Sequence, residues 1–342
     1  MILVTGAGGY IGCVLVPMLL ESGYRVRAVD RYYFGMHLPQ DDDRLEIVQE
    51  DVRKLSLEHF KGVDAVIDLA ALSLDPTNKF FTDATLSINY LARVRTSTLA
   101  KKAGVKRYIL PASCSVYGKQ DPDVIATEAT PVDPLSTYSK SNWLAEQGTM
   151  KLADDDYCVV AVRQSTVFGT SPRMRFDIAI NSMTLGAYET GRIRLMRDGT
   201  QWRSWVHVKD TARAILFMLE ADAVNINGEV YNVGSLSCLA QLKPLAELIA
   251  QKVPRDVEIE WYGDADIRSY RTSFDKIEAL GFRSEKSIDE GIEEICEALD
   301  KGQIKRTPQS INQDWYKTLE SWHKTIKDIE MYGGMIQIEG EI

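Results

Sequence analysis

The first twelve residues constrain the fold more than any other stretch. Ile2 to Thr5 is a short apolar run, and Gly6, Gly9 and Gly12 follow it directly in a GxxGxxG spacing. Ile11, Val14, Leu15, Met18 and Leu19 then recur on one face at helical spacing. Gly23 closes that helix, and Tyr24 to Val29 reads as a second strand ending at Asp30. Strand, glycine turn, helix and strand in this order form a βαβ unit, which implies a parallel sheet.

The pattern continues. Leu45 to Val48 and Ala65 to Leu69 read as strands three and four, and a helical stretch from Thr85 to Ala103 is closed by Gly104. Tyr108 to Leu110 and Cys158 to Val162 supply strands five and six, with a helix over Thr137 to Ala153 between them and Ser136 as its N-cap. These elements predict an α/β chain with a doubly wound parallel (Rossmann) sheet. Beyond residue 170 the elements shorten, which predicts a smaller, partly interleaved C-terminal substrate domain. Val206 to Leu219 reads as a strand start and amphipathic helix, Ile288 to Leu299 as a helix, and 313–331 as another. The expected division is 1–170 for the nucleotide domain, with 206–234 returning to it. Segments 171–205 and 235–342 make the substrate domain and a helical extension.

Glycine is required where the chain turns tightly, where backbone approaches a pyrophosphate and where helix packs on strand. Gly6, Gly9 and Gly12, with Tyr10 and Ile11 at the helix start, therefore predict a dinucleotide held at a helix N-terminus. Asp30, 18 residues after Gly12, can accept hydrogen bonds from both adenosine ribose hydroxyls and would repel a 2′-phosphate. NAD is the cofactor predicted, with Arg31 weakening the discrimination. Asp51 and Val52 would flank the adenine, and Leu69, Ala70 and Ala71 would lie under the dinucleotide. Gln164 and Ser165 would lie near the nicotinamide carboxamide. Lys plus Arg number 40 against 49 Asp plus Glu, a net charge of −9. Neither nucleic acid nor an anionic membrane is then an expected partner. Any anionic ligand needs a local, built site. Five cysteines without a CxxC pair, and four scattered histidines, predict no zinc and no disulfide framework. No apolar run approaches a membrane span, and MILVTGAGGYIG has no basic n-region. A soluble, cytoplasmic protein is expected.

Ser113, in PASCSVYG, and Tyr138, 25 residues later at a helix start, would meet at the carboxyl ends of the strands. A tyrosine there can exchange a proton with a substrate hydroxyl while a serine positions the same oxygen. For this to work near neutrality a phenol, of ordinary pKa ~10, needs a nearby cation.

Taken together, TGAGGYIG, Asp30, Asp51, SVYG at 115–118 and the Tyr138 helix resemble the extended short-chain dehydrogenase/reductases. Within that group the chain is most similar to the nucleotide-sugar epimerases and dehydratases, over roughly residues 1–300. The resemblance implies Ser113 and Tyr138 as catalytic residues and a YxxxK motif. The sequence departs from it, because Asn142 stands where the lysine should be. Lys140 lies two residues on from Tyr138, about 200° around the helix, and points elsewhere. Asn142 can hydrogen-bond a ribose hydroxyl but carries no charge. The 4,6-dehydratases carry Asp and Glu after the serine, where this chain has Cys114 and Ser115, so their acid–base pair is missing. Cys114 is a weaker proton-donor candidate.

The same resemblance assigns the diphosphate of a sugar nucleotide to Arg203, in Trp202 to Asp210, and to Arg268 or Arg271, in Asp266 to Arg271. Arginine's planar fork suits phosphate oxygens. Asn181 is a further candidate for the phosphate or sugar. The implied function is a 4-epimerase working by transient C4 oxidation. A C4 dehydrogenase or ketoreductase, and a silent NAD and sugar-nucleotide binder, remain alternatives. The resemblance also implies a homodimer built on the Tyr138 helix.

Overall fold

The computed structural model describes residues 1–73, 81–121, 123–264 and 268–331. Asp266, at the head of the second arginine segment, lies outside them, as does the expected extension beyond 331.

Seven continuous, mostly apolar runs form the central sheet. They are β1 (Ile2–Thr5), β2 (Val26–Asp30), β3 (Leu45–Gln49), β4 (Ala65–Asp68), β5 (Arg107–Ser113), β6 (Cys158–Gln164) and β7 (Glu229–Val233). All pairings are parallel and the spatial order is β7-β6-β5-β4-β1-β2-β3. This is the doubly wound α/β sheet that the sequence predicts. Strand order reverses between β1 and β4, where Thr5 pairs with Asp68. Ligands of open parallel sheets bind outside the carboxyl ends at such a switch point.

Alternate residues bury on opposite faces. Val4, Ile67, Ile109 and Val160 pack with Leu15 and Leu19 of the Gly12–Glu21 helix and with Ile215 and Met218 of the Val208–Glu220 helix. Leu3, Val66, Tyr108 and Val159 pack on the other side against Ala100 and Ala145, from the Arg93–Lys102 and Thr137–Met150 helices. Each fully buried aliphatic side chain contributes roughly 1.5–3 kcal/mol, so layers on both faces hold the carboxyl edge rigid.

Several boundaries differ from the sequence reading. β2 begins at Val26, because the Tyr24 amide closes the preceding helix by donating to the Leu19 carbonyl at 3.0 Å. β5 runs on through Pro111 and Ala112 to Ser113, paired along its length with β6. The long helix starts at Thr82 and passes through a π-turn over Ser87–Ala92 before Arg93–Lys102. The helix cap is as read: Ser136 accepts from the Ser139 amide at 3.1 Å, and Ser139 Oγ accepts from the Ser136 amide at 2.9 Å.

A second apolar cluster gathers Phe176, Ile180, Leu195, Trp205, Leu245, Ile249, Ile292 and Ile295. Around it the Trp202–His207 strand runs between Thr166–Phe168 and Leu239–Gln241, and Arg192–Met196 pairs with Glu258–Tyr262. The Asn312–Met331 helix closes the described chain.

Candidate active site

A cavity of about 510 Å³ opens between the carboxyl edge of the sheet and the second cluster. Its floor is the glycine loop. Gly6 adopts φ +66°, and a Cβ there would lie 2.7 Å from the Ala70 amide nitrogen. A Cβ on Gly12 would lie 2.4 Å from the Ala7 carbonyl oxygen. The loop thus packs against its own strand ends with no room for side chains, as a cradle for a pyrophosphate requires. The Gly12–Glu21 helix that follows has Ile11 at its N-cap with no side-chain cap; the Cys13 and Val14 amides donate to the Gly9 and Ile11 carbonyls, and the positive end of the helix points at the loop.

Asp30 stands at the end of β2. Its Oδ2 accepts from the Gly8 amide at 3.0 Å and its Oδ1 from the Tyr32 amide at 2.8 Å. Burial pushes its carboxyl up against the pull of those amides. Two lone pairs remain on oxygens already aligned with the loop, which fits an adenosine ribose. These features fit NAD.

Asp51 sits differently from its neighbours in the motif. It caps the Val52–Lys54 turn and is clasped by Arg53 at 2.6 Å and by Arg31 at 2.9 Å. Hydrogen bonding by Arg53 is the main force holding its carboxyl well below the ordinary range. Asp30, Arg31, Asp51, Val52 and Ala70 flank the loop without lining the cavity, whereas Leu69 and Ala71 line it.

Ser113 and Tyr138 both border the cavity, one at the end of β5 and the other in the first turn of the Thr137–Met150 helix. Ser113 Oγ accepts from the Ser115 amide at 3.2 Å, which fixes its rotamer beside the tyrosine helix. Ser115 Oγ, Gln164 Oε1 and Ser165 Oγ are buried on the cavity wall without hydrogen-bond partners. Buried polar atoms are rarely left unsatisfied, so these three mark where a ligand's polar groups belong. Cys114 lies behind the wall. Its Sγ is directed at the Arg163 carbonyl at 3.1 Å, and burial pushes the thiol up to about 12.

Asn142 is buried one turn beyond Tyr138. Its Nδ2 donates to the Tyr138 carbonyl at 2.9 Å, and its Oδ1 accepts from Arg93 at 3.1 Å. Asn181 lines nothing. Its side chain accepts from the Gly169 amide at 3.0 Å and donates to the Arg175 carbonyl at 2.9 Å, pinning the loop between them. Arg203 and Arg268 also line the cavity, with Arg203 Nη1 donating to the Arg268 carbonyl at 2.5 Å and its guanidinium 5.5 Å from the Tyr270 ring centre. Arg271 is placed over Trp202 at 5.6 Å, outside the lining.

Other lining residues escape a sequence reading. Arg173 is buried 3.6 Å over the Phe34 ring and donates to Asn312 at 2.5 Å. Burial and the neighbouring Arg175 charge pull it down to about 10. Arg175 donates to Ser73 Oγ at 2.9 Å and pairs with Asp177. Both arginines stand in PRMR, a few residues past the Thr166–Phe168 strand, which is a signal available in the sequence. Tyr316, from the last helix, packs edge-on against Phe34 at 5.4 Å, and Gln201 and Trp205 bring further unpartnered nitrogens to the wall. These depend on contacts between distant segments. Among the described residues no cluster could hold a metal ion, and no helix is long and apolar enough to cross a membrane.

Known proteins fit this geometry. A model of the NAD dependent epimerase/dehydratase family matches residues 2–234. UDP-glucuronic acid decarboxylase 1 of Xenopus tropicalis is 26% identical over 308 residues, covering 85% of this chain and 70% of that protein. UDP-glucuronate 4-epimerase of Thermodesulfobacterium geofontis is 25% identical over 309 residues, covering 85% and 93%. The solved structure of MoeE5 in complex with UDP-glucose and NAD superposes with a TM-score of 0.76 at 29% identity, over 89% of this chain and 99% of that one.

Proposed function

The chain belongs to the NAD dependent epimerase/dehydratase family, and on that premise we propose that it is a nucleotide-sugar 4-epimerase working by transient oxidation at C4. The observation that carries this reading is the shared cavity. Its lining brings together the glycine cradle, Ser113 and Tyr138, and Arg203 and Arg268. That set of groups suits a dinucleotide beside a sugar nucleotide. We read residues 1–170 with 206–234 as the part holding the first, and 171–205 with 235–342 as the part holding the second.

When bound, NAD would supply the acceptor and later the donor of a hydride. The chain's own residues do the rest. Tyr138 takes the proton of the C4 hydroxyl as the C–H bond is oxidised, and returns it on reduction. Ser113 holds the same oxygen. Arg203 and Arg268 grip the diphosphate, so the keto sugar can turn over while its anchor stays fixed. Cys114 and Ser115, in place of an acid pair, favour epimerisation over water elimination. The names of the relatives point to a uridine diphosphate sugar. Leu91 and Leu144, exposed on the Ser87–Ala92 turn and the tyrosine helix, support a homodimer.

Incubation with UDP-glucose and UDP-glucuronate, followed by NMR of the sugar, tests the reading. The C4 epimer is expected. Stoichiometric accumulation of reduced cofactor, or a pentose formed with loss of carbon dioxide, would replace it by a dehydrogenase or a decarboxylase.

A further inference from the structure

Asn142 leaves the tyrosine helix without a charge one turn beyond Tyr138, yet Arg93 on the cavity wall is hydrogen-bonded to that position. Arg93, the first residue of the Arg93–Lys102 helix, is 3% exposed and borders the cavity. Its Nε donates to the Ala70 carbonyl at 3.1 Å, its Nη1 to Asn142 Oδ1 at 3.1 Å and its Nη2 to the Asp68 carbonyl at 3.3 Å. All three acceptors are neutral. Among the described residues Arg93 makes no ion pair, and the buried Asp68 carboxylate beside it accepts instead from the Thr5 and Tyr108 hydroxyls.

A buried cation with no carboxylate bonded to it is costly, and burial is tolerated when something else faces the charge. Arginine has five N–H donors, and three are committed to protein oxygens. The remaining two belong to a side chain that borders the ligand space. Asn142 is gripped from both sides, by Arg93 and by the Tyr138 carbonyl. The guanidinium therefore stands one hydrogen bond beyond the fourth residue after Tyr138.

We propose that Arg93 supplies, from a neighbouring helix, the positive charge that the tyrosine helix lacks at position 142. This rests on reading the cavity as an NAD and sugar-nucleotide site. Arg93 borders the ligand space, and its two uncommitted donors would meet the nicotinamide ribose in place of the missing lysine. Asn142 is a positioning residue: its amide oxygen holds the guanidinium and its amide nitrogen ties that contact to the tyrosine turn. A lysine at 142 would set two cations against each other, so Asn142→Lys alone is harmful.

The test compares the parent protein with Arg93→Gln, Asn142→Lys and the double variant, reading NAD affinity by calorimetry and turnover of the sugar nucleotide. Arg93→Gln should lower turnover about a hundredfold and weaken NAD binding about tenfold. Asn142→Lys alone should also lose activity, and the double variant should recover most of it because one cation is restored. Arg93→Gln with parental affinity and turnover would overturn the proposal, as would a folded double variant no better than Arg93→Gln. If Arg93→Gln does not fold, Arg93→Lys decides: NAD affinity close to the parent's supports the charge, and a folded Arg93→Lys protein that binds NAD about tenfold more weakly refutes it. A parent protein that binds NAD but turns over no sugar nucleotide refutes the functional reading alone, since the affinity comparison still tests Arg93.

Discussion

Arg163 and Glu146 form a two-pronged pair inside the protein, with Nε 2.9 Å from Oε2 and Nη2 2.6 Å from Oε1, both side chains buried. The pair ties the helix bearing Tyr138 to β6. Removing one partner strands the other charge in the interior. Glu146→Ala should therefore destabilise the fold by about 3–5 kcal/mol, read as a fall in the urea midpoint. An unchanged midpoint would mean that Arg163 finds another acceptor.

Tyr138→Phe should slow turnover about 10²–10⁴-fold while leaving NAD affinity unaltered. Ser113→Ala should act in the same direction with a smaller loss. Calorimetry alongside a turnover assay separates the two effects, and weakened NAD binding in either variant would assign that residue to the cofactor.

At Gly6 an alanine must adopt a left-handed backbone, which costs roughly 1–2 kcal/mol, and its methyl group meets the Ala70 amide. Gly6→Ala should lose NAD binding by tenfold or more. Gly23→Ala meets nothing within 4 Å although its φ is +84°, so it should cost stability alone. The two variants separate the cradle from the turn.

Glu294 predicts a measurable pH dependence. Partial burial pushes its carboxyl up, but His207 at 3.3 Å, the Thr170 hydroxyl and the Lys209 charge outweigh that and hold it at about 2. A depressed carboxylate stabilises the fold above its ordinary value of 4.5, and that contribution disappears as pH falls towards 2. Glu294→Gln should lower the urea midpoint at pH 7. The gap from the parent should narrow between pH 4.5 and 2. A gap constant with pH would show that packing, not charge, is what the substitution removes.

Tyr316 reaches the cavity from the last helix and leans on Phe34. An aromatic contact of this kind is worth about 0.5–1.5 kcal/mol. Tyr316→Ala should therefore speed NAD dissociation by about two- to tenfold in a stopped-flow displacement experiment, with little change in turnover at saturating cofactor.

Short-range physics makes much of this protein legible in its sequence. The glycine loop, the strand end at Asp30 and the Ser136 cap each depend on residues within one turn or one strand of each other. Ser113 and Tyr138 could be paired because parallel strands all deliver their carboxyl ends to one edge. Arg93 and Tyr316 could not be placed that way. Arg93 matters only because its helix lies against the tyrosine helix 49 positions later in the chain, and Tyr316 because the last helix folds back onto the first loops. Asn181 shows the reverse limit. A polar residue at a plausible spacing turned out to be consumed by the Gly169 and Arg175 backbone, and no local pattern announces that.

The placement of the last helix has a consequence for synthesis. Gly6, Gly9 and Gly12 emerge from the ribosome some three hundred residues before Asn312 and Tyr316, which line the same cavity. Domains fold from the N-terminus as they are made, so a growing chain can form its parallel sheet long before the pocket is whole. Until then the groove lacks that wall, and a dinucleotide captured there early would be enclosed once the Asn312–Met331 helix has been made.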